Sequence, residues 1–191
     1  VSPAGRLPVT LPRAVGQVPL YYNHKPSGAR SQFHGDYADL SCRPLLPFGH
    51  GLSYTRFAYD ELVLPDAPVD GRRPVPVSLR VCNVGERDGD EVVQLYVRDR
   101  VASVTRPVRQ LAGFVRLGLR AGEARRVTFH LDPGQLAFYD EQMRFVLEPG
   151  EVEIMVGASS EDVRVEGVLV IGGDLRRLRP VDVAPTRVEI D

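Results

Sequence analysis

Apolar and polar residues alternate with a period of two over most of the chain that follows Phe57, the mark of strands with one buried face. In Val75-Pro-Val-Ser-Leu-Arg-Val-Cys-Asn-Val84, Val75, Val77, Leu79 and Val81 point one way while Ser78 and Arg80 point the other, so one face is core and the other wet. Two further segments repeat the pattern. Val93, Leu95 and Val97 alternate with Gln94, Tyr96 and Arg98, and Val127, Phe129 and Leu131 with Arg126, Thr128 and His130. Residues 59–64 predict an opening strand and residues 110–119 a connecting one. Gly85-Glu-Arg-Asp-Gly89 carries the glycines of a tight reversal and predicts a hairpin.

Further on, Glu148-Pro-Gly150 separates Phe145-Val-Leu147 from Val152, Ile154 and Val156, again as strand, turn, strand. Gly157-Ala-Ser-Ser-Glu-Asp162 then breaks the chain before a last strand bearing Val163, Val165, Val168 and Val170. Residues 134–139 leave room for one helical turn at most. Seven or more strands with almost nothing helical between them predict an all-β fold, a two-sheet sandwich of immunoglobulin-like type.

The N-terminal quarter is different: prolines, glycines and aromatics with little periodicity. The two regions meet at Pro47-Phe-Gly-His-Gly-Leu-Ser-Tyr-Thr-Arg-Phe57, which reads as a junction. Its glycines permit close backbone approach or positive φ, Pro47 stiffens the start, and Phe48, Leu52 and Tyr54 offer apolar anchors for clamping one domain to the next. The chain therefore divides into residues 1–46, a linker at 47–57, the sandwich at 58–173 and an extension at 174–191. Residues 1–56 cannot bury their own apolar side chains, so they are expected to be mobile or to borrow contacts from a neighbour.

Composition narrows the partners. Of 191 residues, 43% are hydrophobic and 26% charged, ordinary values for a globular protein. A formal net charge of −1 argues against nucleic acid or an anionic membrane as partner. The positive charge is nearly all arginine, with Lys25 the only lysine, which reads as genomic bias rather than function. Cys42 and Cys82 sit in different segments and read as two mostly buried thiols, not a disulfide. No apolar run approaches the roughly 20 residues of a membrane span. The sparse cysteines and the lack of an Asn-x-Ser/Thr sequon point to the cytoplasm. Nothing in the sequence sets the oligomeric state.

Catalytic chemistry finds no constellation to carry it. The acidic pairs Asp60 with Glu61, Asp90 with Glu91, Asp140 with Glu141 and Glu161 with Asp162 fall at turns or strand ends, where solvated carboxylates are the norm. His24, His34, His50 and His130 have no metal-ligand spacing and the cysteines form no CxxC, so no metal is expected. Asp88-Gly-Asp90 lacks the remaining oxygen ligands of a calcium loop, Gly-x-Ser-x-Gly is absent, and so is any phosphate-cradling glycine spacing. The segment with sugar-binding character is residues 21–37. There Tyr21, Tyr22, His24, Lys25, Arg30, Phe33, His34, Asp36 and Tyr37 supply aromatic faces and hydrogen-bonding groups. The alternative is an interdomain loop whose tyrosines and arginine pack on neighbouring domains.

Several strings, in order along the chain, carry a resemblance: Gly5-Arg-Leu-Pro-Val-Thr-Leu-Pro-Arg13, Val18-Pro-Leu-Tyr-Tyr-Asn-His-Lys-Pro-Ser-Gly28, the 47–57 junction, Asn83-Val-Gly, Glu91-Val-Val-Gln-Leu-Tyr-Val97, Arg109-Gln-Leu-Ala-Gly-Phe114 and Leu147-Glu-Pro-Gly150. Together they resemble the C-terminal part of family 3 glycoside hydrolases, the retaining β-glucosidases and β-xylosidases. His50 stands where aromatic residues are also common in that family, and the tail beyond Gly173 matches less well. The resemblance implies that residues 1–46 end an α/β sandwich domain and that residues 58–173 form a fibronectin type III-like domain. It implies hydrolysis of terminal, non-reducing β-D-glucosyl or β-D-xylosyl residues without a cofactor. The nucleophilic aspartate and the acid/base glutamate would both precede Val1, so the chain itself holds no catalytic residue and would be inactive alone. The partners implied are a β-linked oligosaccharide and the missing catalytic domains, with His24, Lys25 or Arg30 lining or supporting the entrance for the leaving-group sugar. The competing reading is a stand-alone carbohydrate- or protein-binding module, against which stands the complete absence of tryptophan.

Overall fold

A computed structural model describes residues 2–26 and 40–191. Its strands are β1 (Phe57–Val63), β2 (Val75–Asn83), β3 (Gly89–Asp99), β4 (Gln110–Leu119), β5 (Ala124–Leu131), β6 (Phe138–Tyr139), β7 (Phe145–Leu147), β8 (Gly150–Gly157), β9 (Val163–Ile171), β10 (Arg176–Arg177) and β11 (Arg187–Ile190). Short 3-10 turns occur at Val15–Gln17, Pro133–Leu136 and Pro180–Asp182. The strands build one sheet in the order β1-β2-β5-β11, a second in the order β4-β3-β8-β9, and a small third in the order β10-β7-β6, all paired antiparallel. The two larger sheets face each other as the all-β sandwich that the alternation predicts.

The core lies between them because the inward positions of facing strands are branched or aromatic. Val75, Val77, Leu79 and Val81 of β2 meet Val93, Leu95 and Val97 of β3, with Val127, Phe129 and Leu131 of β5 and Val152, Ile154 and Val156 of β8 closing the layer. Each such side chain, taken fully out of water, contributes about 1.5–3 kcal/mol.

The structure corrects the sequence reading in three places. First, Gly85-Glu-Arg-Asp-Gly89 is not a hairpin, because β2 pairs with β1 and β5 while β3 pairs with β4 and β8, so the segment crosses from one sheet to the other. Asn83, fully buried, fixes that crossing. Its amide donates to the carbonyls of Arg87 (2.7 Å) and Leu119 (3.2 Å), and its Oδ1 accepts from Thr55 Oγ1 (2.6 Å) and the Gly85 amide (3.1 Å). Second, β9 is not the last strand. Its buried residues are Leu169 and Ile171, with Val168 and Val170 turned outward, and the chain returns as β10 along β7 and β11 along β5. Four residues of which Val188 alone is half-buried give β11 too weak an alternation to be seen beforehand.

Third, the outer face of β3 is dry: Gln94 is 3% and Tyr96 0% exposed. The described part of the N-terminal segment covers it, which is the borrowed-contact outcome. Cys42 and Cys82 are half-buried, less enclosed than expected. No helix among the described residues is long and apolar enough to cross a membrane.

Candidate functional site

The N-terminal segment forms a strap across the outer face of the β4-β3-β8-β9 sheet. Within the strap, Leu11 and Leu46 form a β-bridge, the Leu7 amide donates to His50 O (2.9 Å), and the Gly49 amide donates to Leu7 O (2.8 Å). Buried Gln17 cross-links it, accepting from the Arg13 amide (2.6 Å) and donating to Ser41 O (2.7 Å). These bonds replace the regular ladder that the unpatterned sequence cannot form.

Three devices join strap to sandwich. Tyr22 stacks on Phe48 with ring centroids 4.2 Å apart and meets Tyr96 edge-on at 5.9 Å, an arrangement that aligns ring edges with ring faces. Gln94 donates to Ala158 O (2.6 Å) and Gly49 O (3.2 Å), while its Oε1 accepts from the Tyr96 hydroxyl (2.7 Å). Burial pushes the Tyr96 phenol well above its ordinary pKa, so it stays a hydrogen-bond donor. Arg6 reaches Glu91 at 2.5 Å, and both side chains are nearly enclosed. The Tyr59 phenol, pushed up by burial and then by the Glu91 charge, stands beside this pair.

The 47–54 motif acts as a clamp, though only partly through the anchors expected of it. Phe48 packs inside, and Gly49 (φ 81°) passes so close that a Cβ there would lie 2.0 Å from Gln94 Oε1. Leu52 and Tyr54 are instead 69% and 67% exposed. Val15, Val18 and Tyr21 of the strap are exposed too, so its outer side is an apolar surface facing away from the sandwich. A cavity of about 400 Å³ beside it is lined by Leu7, Phe48, Leu111 and Phe114. A more polar one of about 430 Å³, between strap and sandwich, is lined by Arg6, His50, Glu91, Asp162 and Arg164.

Of the three candidate substrate residues, the structure brings His24 and Lys25 together at the end of the strap, and Arg30 lies outside the described residues. So do Phe33, His34, Asp36 and Tyr37. His24 is half-buried, its Nδ1 2.9 Å from Lys25 O, and Lys25 is exposed. Their backbone is fixed from below at His24, whose carbonyl accepts from the Val108 amide (2.9 Å), and the nearby Tyr22 hydroxyl oxygen accepts from the Leu111 amide (3.3 Å).

Arginine meets at least one member of each acidic pair, while Glu61, Glu141 and Glu161 stay exposed as the sequence suggests. Asp60 and Glu61 face Arg80, and Glu61 also Arg126 at 2.5 Å. Asp90 pairs with Arg116, and Asp162 with Arg164 at 2.5 Å. Glu91 and Asp140 are each only 5% exposed. Hydrogen bonds from Arg144, its side chain above all, hold the Asp140 carboxyl below the usual carboxylate range. Carboxylates paired in this way act as structural ties between neighbouring segments. Among the described residues no group of His, Cys, Asp and Glu has the makings of a metal site. Sequence reasoning did not single out Asn83, Gln94 or Tyr96 as organisers; a tyrosine and a glutamine on a strand face assumed to be wet were the available signal.

Comparison with known proteins agrees with this arrangement. Residues 91–160 match the fibronectin type III-like domain family. The chain is 38% identical over 169 residues to a periplasmic beta-glucosidase of Salmonella typhimurium, covering 85% of this chain and 22% of that protein. It is 43% identical over 161 residues to a beta-xylosidase of Formosa agariphila, covering 84% of this chain and 22% of that protein. The chain thus spans about a fifth of the length of the curated relatives it matches. Among solved structures, a beta-glucosidase from Listeria innocua in complex with glucose superposes with a TM-score of 0.83 at 36% identity, over 91% of this chain and 25% of that one.

Proposed function

Because this chain is the fibronectin type III-like, C-terminal portion found in family 3 β-glucosidases and β-xylosidases, we propose that it braces the catalytic domains of a retaining, exo-acting β-glycosidase. That enzyme would hydrolyse terminal, non-reducing β-D-glucosyl or β-D-xylosyl residues. Retention requires two carboxylates held about 5 Å apart, one attacking the anomeric carbon and one passing a proton to the leaving oxygen. Neither is assigned to this chain, in which one or both members of each acidic pair are tied to an arginine. The chain's part is mechanical: residues 1–46 end the neighbouring α/β domain, 47–57 link, 58–173 form the bracing sandwich, and 174–191 return along it. Its substrate-facing contribution would come from His24, Lys25 or Arg30, lining or supporting the entrance that receives the leaving-group sugar. A cytoplasmic location is part of this proposal, and recovery of the enzyme in a periplasmic or secreted fraction would overturn it.

The observation that carries this reading is the strap. It is fixed to the sandwich by buried polar and aromatic ties while Val15, Val18, Tyr21, Leu52 and Tyr54 are left outward for another domain. The test is enzymatic. The isolated chain should not release nitrophenol from nitrophenyl β-glucoside or β-xyloside. In the full-length polypeptide, alanine at His24, Lys25 or Arg30 should slow hydrolysis of β-linked oligosaccharides. Turnover by the isolated chain removes the bracing role, and three silent alanine variants remove the entrance role.

A further inference from the structure

The segment joining β3 to β4, residues 100–109, belongs to the sandwich, yet its far end holds the strap where His24 and Lys25 sit. The Val108 amide donates to His24 O at 2.9 Å, so any shift of this loop moves the peptide that carries both side chains. The loop is in turn pinned at two points. At Ser103, the amide (2.9 Å) and the hydroxyl (2.6 Å) both donate to the Glu148 carboxylate, which rides on the Leu147-Glu-Pro-Gly150 turn. At Arg106, the guanidinium lies 4.4 Å from the centroid of the Phe138 ring, itself 4% exposed on β6 of the small sheet.

Arg106 is an unusual choice for a mere filler. Its Nε is buried without a hydrogen-bond partner among the described residues, a cost that a fixed position over an aromatic face offsets. Burial lowers its pKa and raises that of nearby Asp99, while each of the two charges favours the ionised form of the other. The guanidinium is therefore held by Phe138 from one side and by Asp99 and Glu148 electrostatically, two residues before the amide that grips His24.

We infer that residues 100–109 position the substrate-facing end of the strap and that Arg106, seated on Phe138, is a positioning residue for recognition of the leaving-group sugar. The inference rests on the proposed entrance role of His24 and Lys25. It assigns the small β10-β7-β6 sheet a purpose, as the platform on which this loop is mounted.

The test uses the full-length enzyme with Arg106→Gln, Arg106→Lys, Ser103→Ala, His24→Ala and Lys25→Ala. Kinetics are measured on a β-linked disaccharide and on a nitrophenyl β-glycoside, whose leaving group is not a sugar. Arg106→Gln should raise KM for the disaccharide about threefold to tenfold, the range expected for losing one partly desolvated cation–π contact, with kcat and the nitrophenyl substrate changed by less than about twofold. Arg106→Lys should recover most of that loss, and hydrogen exchange in peptides spanning residues 20–26 should speed up only in Arg106→Gln. Ser103→Ala, an exposed change, should act in the same direction and decides the matter if Arg106→Gln does not fold. If His24→Ala and Lys25→Ala raise the disaccharide KM while Arg106→Gln and Ser103→Ala leave it unchanged, the positioning role is wrong and the entrance reading stands. Equal losses on both substrates, or no recovery with lysine, also overturn it by showing a purely structural effect. Silent His24→Ala and Lys25→Ala overturn the entrance reading, and the positioning role falls with it.

Discussion

Replacing Asn83 by alanine should be among the most damaging single changes in the chain. The Asn83 side chain is fully buried and makes four hydrogen bonds that join the linker at Thr55, the crossing segment at Gly85 and Arg87, and the end of β4 at Leu119. At a net value of about 1 kcal/mol per bond, with the stranded Leu119 carbonyl and Thr55 hydroxyl left enclosed, the loss is roughly 3–4 kcal/mol. A domain of this size loses about 2–4 °C of Tm per kcal/mol, so the midpoint should fall by roughly 10 °C. Thr55→Val removes a single donor to the same side chain and should cost only about 1 kcal/mol. Urea unfolding of wild type and both variants, followed by far-ultraviolet circular dichroism and by tyrosine fluorescence, gives both numbers, with equal m-values required for the comparison. If Asn83→Ala costs no more than Thr55→Val, the amide does not organise the crossing and the reasoning fails.

Three further outcomes follow from the ties described above. Arg6→Ala should destabilise by about 3 kcal/mol because Glu91 is left charged and enclosed, whereas the double change Arg6→Met with Glu91→Leu should be nearly neutral in the same urea assay. Gly49→Ala should loosen the strap, since the new Cβ meets Gln94 at a φ that disfavours alanine; limited proteolysis should cut residues 40–56 faster than in wild type, and unchanged cleavage would count against the clamp. Asp140 has a depressed pKa in the folded chain, so its ionic ties stabilise above the unfolded carboxylate value, near pH 4, and are lost as pH falls through the folded value. The Tm advantage of wild type over Asp140→Asn should therefore be constant from about pH 5 to 8 and shrink below about pH 4; a gap that widens on acidification would reverse the sign of the argument.

The strands were legible wherever one face alone is buried. β4 spans Gln110–Leu119 as its sequence predicts, and the inward sets of β2, β3 and β5 are those read from the alternation. Alternation shows which side of a strand is apolar, but not which sheet the strand joins, so the turn after Asn83 reads as a hairpin whereas hydrogen bonds made by one side-chain amide send it across the sandwich. Nor can it show that a second layer will arrive. Tyr96 and Gln94 sit at outward positions by pattern and are enclosed only because a segment without periodicity, some seventy positions earlier in the case of Tyr22, packs on them. In the candidate site the sequence supplied the chemistry of His24 and Lys25. The loop that supports them was invisible, since a backbone bond such as that from Val108 depends on no particular side chain.

The dry outer face of β3 has a practical consequence for anyone recombining such domains. A cassette cut at the apparent boundary before Phe57 would strip the cover from Tyr96 and Gln94, turning a finished surface into a sticky, half-bonded one prone to self-association. The transplantable piece is the sandwich together with the strap that crosses it.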